Sequence, residues 1–333
     1  SWVIDLSKLN KINVNYAEET VTVGSGANVN QVIEQIKNRN YFIPFGISGT
    51  TGVSGISMGG GIGIVAQKYG LTLDKLEEIK IVTADENIRV VSKHKCSDLF
   101  WALRGAGGGN FGVVTQLKLR IVEAPKCVVR IQKDYGIEFA AIIFHEWQHF
   151  FTSNEEEKSI SGIITINLIP GIVQIQIYIA TKTNRKCDSL VDKMMPLFQN
   201  ISTADVKKYR NYFEAQDEYS TTFDLDLNLR PFCVIQTNFF VSKQLSISES
   251  NRVADIVAKH QNDAWIYAET FGGKINEVNR KETAFVHRTS KYNVLVKSGA
   301  QCDGTFNRAV YLTTDNFEFM DNGESYQNYI SKQ

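Results

Sequence analysis

The sequence predicts an α+β protein in which a mixed first region is followed by an antiparallel sheet flanked by helices. Residues 1–125 combine short β-like runs with one clear helical pattern, whereas the strands after Pro125 alternate apolar and polar residues. The chain has 333 residues, a length that suggests roughly two domains. We therefore predict a first domain over residues 1–125 and a second over residues 126–302.

The first region contains one amphipathic helix among several predicted strands. In NVNQVIEQIKNR, the apolar residues Val29, Val32, Ile33 and Ile36 keep helical spacing, and Asn28 is suited to cap the helix. The β-like runs are short and rich in β-branched residues, as strands are. These runs are WVIDL, INVNY, TVTVGSG, EIKIVTA, IRVVS and GVVTQLKLRIV.

The second region is predicted to form an antiparallel sheet with helices against it. The runs GIVQIQIYIA and VIQTNFFVS alternate apolar and polar residues, which indicates strands with one covered face and one wetter face. Between them lie the amphipathic patterns EFAAIIFHEWQHFF and NRKCDSLVDKMMPLF.

Charge and hydropathy exclude several classes of partner. The chain carries 36 basic and 36 acidic side chains, and its lysines are dispersed, which argues against nucleic acid or an anionic membrane as the main partner. The longest apolar runs, such as FAAIIF, are far shorter than the 18 or so residues of a membrane span. We expect a soluble protein without membrane insertion that acts on a small molecule; oligomerisation is left open.

The cysteines do not determine the compartment. They are odd in number, widely spaced and without a CxxC pair, which disfavours a complete disulfide set or a cysteine zinc site. The triplet at residues 200–202 is a glycosylation sequon if the protein is secreted, so secretion is left open. The cysteines are Cys96, Cys127, Cys187, Cys233 and Cys302.

Glycine is concentrated in one fifth of the chain. Of 24 glycines, 14 fall between Gly46 and Gly112. In the first glycine segment (residues 46–63), their spacing lets consecutive backbone N–H groups converge on an anion such as a pyrophosphate, and the pattern fits neither a P-loop nor a simple GxGxxG unit. A glycine-rich bend without a ligand is the alternative. The glycines are Gly46, Gly49, Gly52, Gly55, Gly59, Gly60, Gly61 and Gly63.

A second glycine segment (residues 105–112) precedes a buried-looking strand. In LRGAGGGNFGVVTQLKL it is equally consistent with a tight turn or a cofactor contact. The two segments together are more specific for a nucleotide cofactor than either alone. The residues at the end of this segment that we expect to contact the cofactor are Asn110, Gly112, Val113 and Val114.

The order of these motifs resembles the berberine bridge enzyme-like FAD-linked oxidases, which share the flavin-binding fold of vanillyl-alcohol oxidase and p-cresol methylhydroxylase. The resemblance runs nearly from end to end through VIDLSKLNKINV, TVTVGSGANVNQV, the first glycine segment, YGLTLDKLEEIKIVTAD, DLFWALRGAGGGNFGVVT, GGKINEV, TAFVHR and SYQNYI. It implies a partial FAD-binding domain of the p-cresol methylhydroxylase type, a substrate domain whose sheet covers the flavin, and residues 303–333 returning to the FAD domain.

The resemblance also implies FAD contacts in the first glycine segment and a catalytic pair near the C-terminus. Besides its glycines, the segment is expected to contact FAD through Ser48, Thr50 and Thr51, and Asn328 and Tyr329 match the family's Asn-Tyr pair near flavin and substrate. The implied reaction moves a hydride from an alcohol, a sugar or an amine-type C–H bond to flavin. Oxygen is the expected electron acceptor.

Several positions depart from the family pattern. Family members carry a histidine-linked subdomain upstream of the position of Val3, which we expect this chain to lack, and Ser48 replaces a second flavin-linking cysteine. We therefore expect non-covalent FAD. A proton-moving Gln or Glu of the family is replaced by Leu295 or Val296, neither of which can act as a base. A catalytically degenerate protein that keeps the fold for structural or interaction work is thus the alternative function.

The pentapeptide HEWQH also matches the H-E-x-x-H zinc motif. Two histidines one helical turn apart can bind zinc while the glutamate activates water, so a zinc hydrolase at His145 and His149 is a remote alternative. No third ligand stands out in the sequence. We prefer an amphipathic helix in which the histidines are partly solvated and Phe144, Trp147, Phe150 and Phe151 pack.

The remaining candidates are individual polar residues with structural alternatives. We interpret His287 and Arg288 as a cofactor contact or as a structural pair on a strand edge. Glu269 is the nearest carboxylate to the expected active face, but we prefer to interpret it as an exposed surface residue of a strand. Tyr69, Asp74 and Lys75 match a family loop near the flavin but also suit turn and capping roles.

Overall fold

The computed structural model describes most of the chain outside a few short intervals. The described residues are 3–46, 48–154, 157–167, 171–198, 200–229, 233–259, 264–300 and 314–326. The predicted catalytic residues Asn328 and Tyr329 lie outside these ranges.

The strands follow the predicted runs with one exception. The expected strand WVIDL is wrong for residues 3–6, which form no strand; Val3 is 90% exposed and no described strand pairs with it. The strands are β1 (Ile12–Asn15), β2 (Thr20–Gly24), β3 (Tyr41–Phe42), β4 (Leu76–Val82), β5 (Ile88–Ser92), β6 (Val113–Arg120), β7 (Val122–Glu123), β8 (Cys127–Gly136), β9 (Ile160–Asn167), β10 (Ile172–Thr181), β11 (Val206–Tyr209), β12 (Cys233–Val241), β13 (Ala264–Thr270) and β14 (Tyr292–Ala300).

The α-helices include all those predicted from periodicity. Asn28 caps the first helix through a capping box with Gln31, as its position predicted. The helices are α1 (Val29–Ile36), α2 (Val53–Gly59), α3 (Ala66–Tyr69), α4 (Ser97–Ala102), α5 (Ala140–Ser153), α6 (Asn184–Met194), α7 (Tyr212–Leu229), α8 (Ile247–Lys259) and α9 (Lys274–Glu277).

Two antiparallel sheets divide the chain near Pro125. The first has five strands in the order β1-β2-β6-β4-β5, and the second has seven in the order β11-β8-β10-β9-β13-β14-β12. A further short strand, β7, pairs with β3 and ends at Glu123, two residues before Pro125. We propose that the domain boundary lies at this proline, because the strands on either side of it belong to different sheets.

The seven-stranded sheet is covered on both faces. Helices α5, α6 and α8 pack on one face, where Trp147 and Phe144 are buried. The other face contacts α7 and the residues that follow the first glycine segment, including Ile64 and Val65. The wetter face expected from alternation is therefore buried along much of β10, because another layer of the protein covers it.

Gln148 joins several elements on the helical side of this sheet. Its amide nitrogen donates to the Leu245 carbonyl and to Ser250 Oγ, while its oxygen accepts from the Leu245 amide and from the Tyr292 hydroxyl. A buried amide with all these partners filled stabilises one arrangement of α5, α8 and β14.

The ion pair between Arg288 and Asp74 connects the two halves of the chain. The guanidinium donates to both carboxylate oxygens of Asp74, at 2.7 and 3.1 Å, and the arginine is almost fully buried. Asp74 also accepts from the Leu71 amide. Arg288 is therefore a buried residue with a structural ion-pair partner. Residues 285–288 are not in a strand, so the predicted strand-edge position is wrong.

Residues 314–326, here called the C-terminal segment, are attached to the edge of β12. Phe240 exchanges backbone hydrogen bonds with Asn322 and Glu324, and the Glu324 carboxylate contacts Arg280 and lies 2.8 Å from Nδ1 of His287. The His287 ring stacks on Phe240 with centroids 4.1 Å apart. The histidine thus stabilises the attachment of this segment.

A disulfide joins β8 to α6. Cys127 and Cys187 are both buried, are separated by 60 residues in sequence, and form the bond that fixes the helix against the sheet. Sequence spacing gave no indication of this pairing. Cys96 is a free, exposed cysteine. Among the helices described, none is long and apolar enough to cross a membrane.

We predict that removing the disulfide will lower stability substantially. Closing a loop with a separation of 60 residues restricts the unfolded chain by about 4 kcal/mol in the loop-entropy model. Denaturant unfolding with and without reductant should therefore show a lower midpoint for the reduced protein. The double variant Cys127→Ala, Cys187→Ala should resemble the reduced protein and no longer respond to reductant; an unchanged midpoint on reduction would contradict this prediction.

We also predict that acid will weaken the fold through His287. Burial lowers the pKa of His287 from 6.5, an effect that exceeds the opposing effect of the Glu324 carboxylate, and Arg280 and Arg288 lower it further. As the pH falls through about 6.5, the unfolded chain takes up this proton before the folded chain does, so the free energy of unfolding decreases. Melting temperatures at about pH 7.5 and pH 5.5 should differ less in His287→Gln than in the parent.

The control for this measurement is His94→Gln, which changes an exposed histidine in a loop. It should keep the pH dependence of the parent. If His287→Gln does the same, the assignment to His287 is wrong.

Candidate functional site

Most of the predicted cofactor glycines lie where other parts of the protein approach the backbone. At six of them, a Cβ atom would lie 2.0–2.7 Å from another protein atom. At Gly63, for example, it would meet the Phe45 carbonyl oxygen at 2.1 Å. Packing or backbone conformation therefore requires glycine at Gly60, Gly61, Gly63 and Gly112, whether or not a ligand is bound, whereas at Gly46 and Gly49 the nearest atoms belong to the movable side chains of Ile56 and Asn30. The six are Gly46, Gly49, Gly60, Gly61, Gly63 and Gly112.

Gly52 and Gly55 differ, because nothing packs on them. Both are exposed, and a Cβ atom at either would have no protein atom within 4 Å. Gly52 caps α2 and Gly55 lies in its first turn. Since packing within the described part of the chain does not require glycine here, these two positions are the ones that a ligand in close contact with backbone would explain.

The second glycine segment extends this surface. The Gly105 and Gly107 amides donate to the Met58 carbonyl at the end of α2, and Met58 Cε lies 3.3 Å from a Cβ built at Gly108. Gly109 is exposed with open space at its Cβ position. We call the exposed backbone at Gly52, Gly55, Gly108 and Gly109 the bare backbone surface.

The polar residues predicted to contact a cofactor lie along this region. Ser48 Oγ is 3.0 Å from Thr50 Oγ1, and Thr50 is exposed. Asn110 is exposed and donates to the Ala106 carbonyl, which closes the second segment. Thr51 is half-buried and its carbonyl accepts from the Val29 amide.

The other predicted contacts have clear structural roles. Val113 and Val114 begin β6 and pair with Val82 and Ile81 of β4. Val114 is buried in the first core, whereas Val113 is half-buried.

Two buried hydroxyls remain without a partner in α2. Ser54 Oγ and Ser57 Oγ make no hydrogen bond within the described structure, although both side chains are buried. Unsatisfied buried hydroxyls are uncommon in folded proteins. The bare backbone surface fits a ligand with hydrogen-bonding groups and an extended shape, such as a dinucleotide, whereas the two serine oxygens are enclosed by protein and do not belong to that surface.

A small cavity lies between the end of the first glycine segment and the seven-stranded sheet. Its volume is about 20 Å³, enough for roughly one water molecule. Residues 62–64 form one wall, and side chains of β9, β10, β13 and α7 form the other. The residues on the sheet and helix side are Ser161, Gly162, Ile163, Tyr178, Tyr219, Tyr267, Glu269 and Thr270.

A carboxylate and two phenols form a hydrogen-bonded chain at this cavity. The Tyr267 hydroxyl lies 3.4 Å from Glu269 Oε2 and 3.0 Å from the Tyr219 hydroxyl. Asn293 donates to Glu269 Oε1 at 3.1 Å. Glu269 is only 5% exposed, so the expectation that it is a surface residue is wrong.

Strand order explains the burial of Glu269. β13 lies inside the sheet between β9 and β14, and the face that carries Glu269 is covered by α7 and by the end of the first glycine segment. Strand alternation puts Tyr267 and Glu269 on one face of β13. Nothing in the local sequence indicated that another layer covers this face.

The predicted apolar positions on β14 separate onto opposite faces. Leu295 pairs with Tyr267 and shares its face, whereas Val296 is buried in the core beneath the helices. Leu295 therefore lies on the side of the cavity, where a base was expected from the family pattern. The neighbouring strand β13 supplies a carboxylate on the same face, at Glu269.

Burial keeps the phenols of Tyr219 and Tyr178 protonated by raising the pKa of each. It raises the pKa of Tyr219 well above 10, with further increases from Tyr178 and Glu269, and the hydrogen bond with Tyr267 opposes the shift only partly. Burial likewise raises the pKa of Tyr178. Neutral phenols act as hydrogen-bond donors and as relays, whereas a carboxylate can accept a proton directly.

The HEWQH segment forms part of α5, and its packing prediction is confirmed. Trp147 and Phe144 are buried, His145 is half-buried, and exposed His149 has Nδ1 at 2.6 Å from Gln244 Nε2. The two histidine rings stack with centroids 6.4 Å apart. No group of three or more metal-ligating side chains occurs in the described ranges.

Comparison with known proteins gives the fold and shows which proteins the chain resembles. Residues 1–92 match the FAD binding domain family. Reticuline oxidase of Papaver somniferum is 27% identical over 300 residues, which cover 86% of this chain and 54% of that protein. The chain thus spans about half the length of this curated relative.

Solved structures share the whole fold at low sequence identity. A berberine bridge enzyme-like protein of Physcomitrella patens superposes with a TM-score of 0.83 at 23% identity, covering 98% of this chain and 72% of that one. Xylooligosaccharide oxidase from Myceliophthora thermophila, in complex with xylobiose, gives a TM-score of 0.84 at 18% identity, with coverages of 99% and 73%.

These comparisons confirm the predicted α+β architecture with its antiparallel seven-stranded sheet. Of the bare backbone surface, Gly52 and Gly55 lie inside the matched domain, whereas Gly108 and Gly109 follow it. Over most of its length the chain resembles the berberine bridge enzyme-like FAD-linked oxidoreductases, and residues 1–92 match part of an FAD-binding domain.

Proposed function

We propose that the protein binds FAD and oxidises an alcohol, a sugar or an amine-type C–H bond, with oxygen as the final electron acceptor. The observation that carries the proposal is the buried chain of Glu269, Tyr267 and Tyr219, which faces the end of the first glycine segment across the cavity. Relatives named as oxidases of reticuline and of xylooligosaccharides support the amine and sugar classes.

The bare backbone surface is the proposed binding site of FAD. Gly52, Gly55 and Gly109 leave room for a ligand to lie against backbone, and Ser48, Thr50, Thr51 and Asn110 offer polar groups beside it. Because Ser48 carries a hydroxyl where relatives place a linking cysteine, we expect dissociable FAD. When bound, FAD accepts the hydride that leaves the substrate carbon.

Glu269 is the proposed proton acceptor of the site. Oxidation of an alcohol or a hemiacetal releases a hydroxyl proton as the hydride departs, so a nearby base accelerates the reaction. The Glu269 carboxylate can take this proton directly or through the Tyr267 hydroxyl, since the two are in hydrogen-bonding contact. Asn293 holds the other carboxylate oxygen in place. Within the Asn328–Tyr329 pair, Tyr329 is proposed to help orient or deprotonate the substrate hydroxyl.

A catalytically degenerate protein is the second candidate. The apolar Leu295 on the cavity face and the cavity volume of about 20 Å³ favour it, because a substrate needs far more room. In that case the fold would serve structural or interaction work. Flavin binding and substrate-dependent flavin reduction distinguish the two functions.

We predict that the protein binds FAD and releases it on acid precipitation. Titration should give a saturable flavin absorbance, with the colour in the supernatant after acid treatment. Gly55→Gln should abolish binding without lowering the melting temperature of the apoprotein, because its side chain would project into open space and glycine is a poor helix former. Absence of binding by the parent would contradict the proposed function, and a coloured pellet would contradict dissociable FAD.

We further predict that Glu269→Gln will slow flavin reduction by roughly 10²–10⁴-fold, the usual contribution of a general base. Tyr267→Phe should have a smaller effect, since the carboxylate remains. Anaerobic stopped-flow measurement of flavin bleaching reports this step directly. Glu277→Gln, at a partly exposed carboxylate paired with lysines, is the matched control and should react like the parent. Equal rates in Glu269→Gln and the control would exclude Glu269 as the base.

A further inference from the structure

Two side chains from the second half of the chain accept hydrogen bonds from backbone amides of the first glycine segment. Ser220 Oγ of α7 accepts from the Gly49 amide at 2.7 Å, and the Tyr326 hydroxyl accepts from the Gly61 amide at 2.8 Å. All four groups are buried. One contact is near the start of the segment and the other near its end, so they flank the helix that carries Gly52 and Gly55.

Each contact is itself held by its surroundings. Near Ser220, Gln216 of the same helix donates to the Gly46 carbonyl at 3.1 Å. Near Tyr326, the Asn238 side chain bonds both the amide and the carbonyl of residue 326. The Tyr326 ring also lies against Gly60, where a Cβ atom would come within 2.7 Å of it. These partners fix both hydroxyls relative to the seven-stranded sheet.

We propose that Ser220 and Tyr326 are positioning residues of the cofactor site: by accepting the buried Gly49 and Gly61 amides, they fix the shape of the backbone on which FAD is proposed to lie. This inference rests on the proposed function. Neither hydroxyl belongs to the bare backbone surface, so each acts through the segment. A buried amide that loses its acceptor must shift or remain unsatisfied, and either outcome changes the preformed surface.

The test compares single-atom deletions at this site with identical deletions elsewhere. Tyr326→Phe and Ser220→Ala each remove one hydroxyl oxygen from the contacts with the glycine segment. Tyr292→Phe and Ser250→Ala remove the same atoms from the bonds to Gln148 on the helical side of the sheet. The measurements are the dissociation constant of FAD by absorbance titration and the melting temperature of the apoprotein.

We expect Tyr326→Phe and Ser220→Ala to raise the dissociation constant of FAD by about tenfold each, the effect of one buried hydrogen bond. The two controls should lower the melting temperature of the apoprotein about as much as Tyr326→Phe and Ser220→Ala do. Their dissociation constants for FAD should stay within about twofold of the parent value. A merely structural role would change the melting temperature alone. Equal dissociation constants in all four variants would overturn the proposal.

Hydrogen exchange tests the positioning role by a measurement that does not require FAD to bind. If the parent binds no FAD, the proposed function fails, and the positioning role is decided by exchange in peptides covering residues 46–63. Faster exchange there in Tyr326→Phe and Ser220→Ala than in the two controls supports positioning of the segment. The same exchange rate in all four variants overturns it.

Discussion

The close approach of other protein atoms to glycine backbone is the constraint on which much of this structure depends. Residues 46–63 pass between the two sheets, where the Phe45 carbonyl, the Thr72 side chain and the Tyr326 ring leave no room for a Cβ atom at Gly63, Gly61 and Gly60. The left-handed region at Gly61 adds a conformational reason for glycine. Because the segment contacts protein on its inner side, only the outer positions Gly52 and Gly55 remain open to a ligand.

Predictions from sequence succeeded where a residue type determines local structure. The spacing of Val29, Val32 and Ile36 gave α1, Asn28 gave its cap, and alternation gave β10. The glycine density correctly indicated close contact with backbone. It could not distinguish a ligand from protein as the contacting partner, since both require the same absence of a side chain.

Features that depend on distant parts of the chain were not predictable in this way. The pairing of Cys127 with Cys187 depends on how α6 docks against β8, which cysteine spacing does not contain. Glu269 is buried because of the order of the strands and the position of α7. The charged residue type alone favoured exposure. The neighbours of β14 could not be predicted either, so either Leu295 or Val296 could have stood at the position of the family's Gln or Glu. The strand register places Leu295 opposite Tyr267 and so decides between them.

Helix α7 contacts both the glycine segment at the proposed FAD-binding site and the hydrogen-bonded chain that contains the proposed proton acceptor. Its consecutive residues Tyr219 and Ser220 point in directions about 100° apart, so one contacts Tyr267 at the sheet while the other contacts Gly49 in the glycine segment. Any ligand that stabilises this arrangement of the segment therefore also restricts Tyr219 and, through Tyr267, the surroundings of Glu269. Since such coupling is reciprocal, ordering of the chain of Glu269, Tyr267 and Tyr219 must favour binding at the bare backbone surface by the same factor.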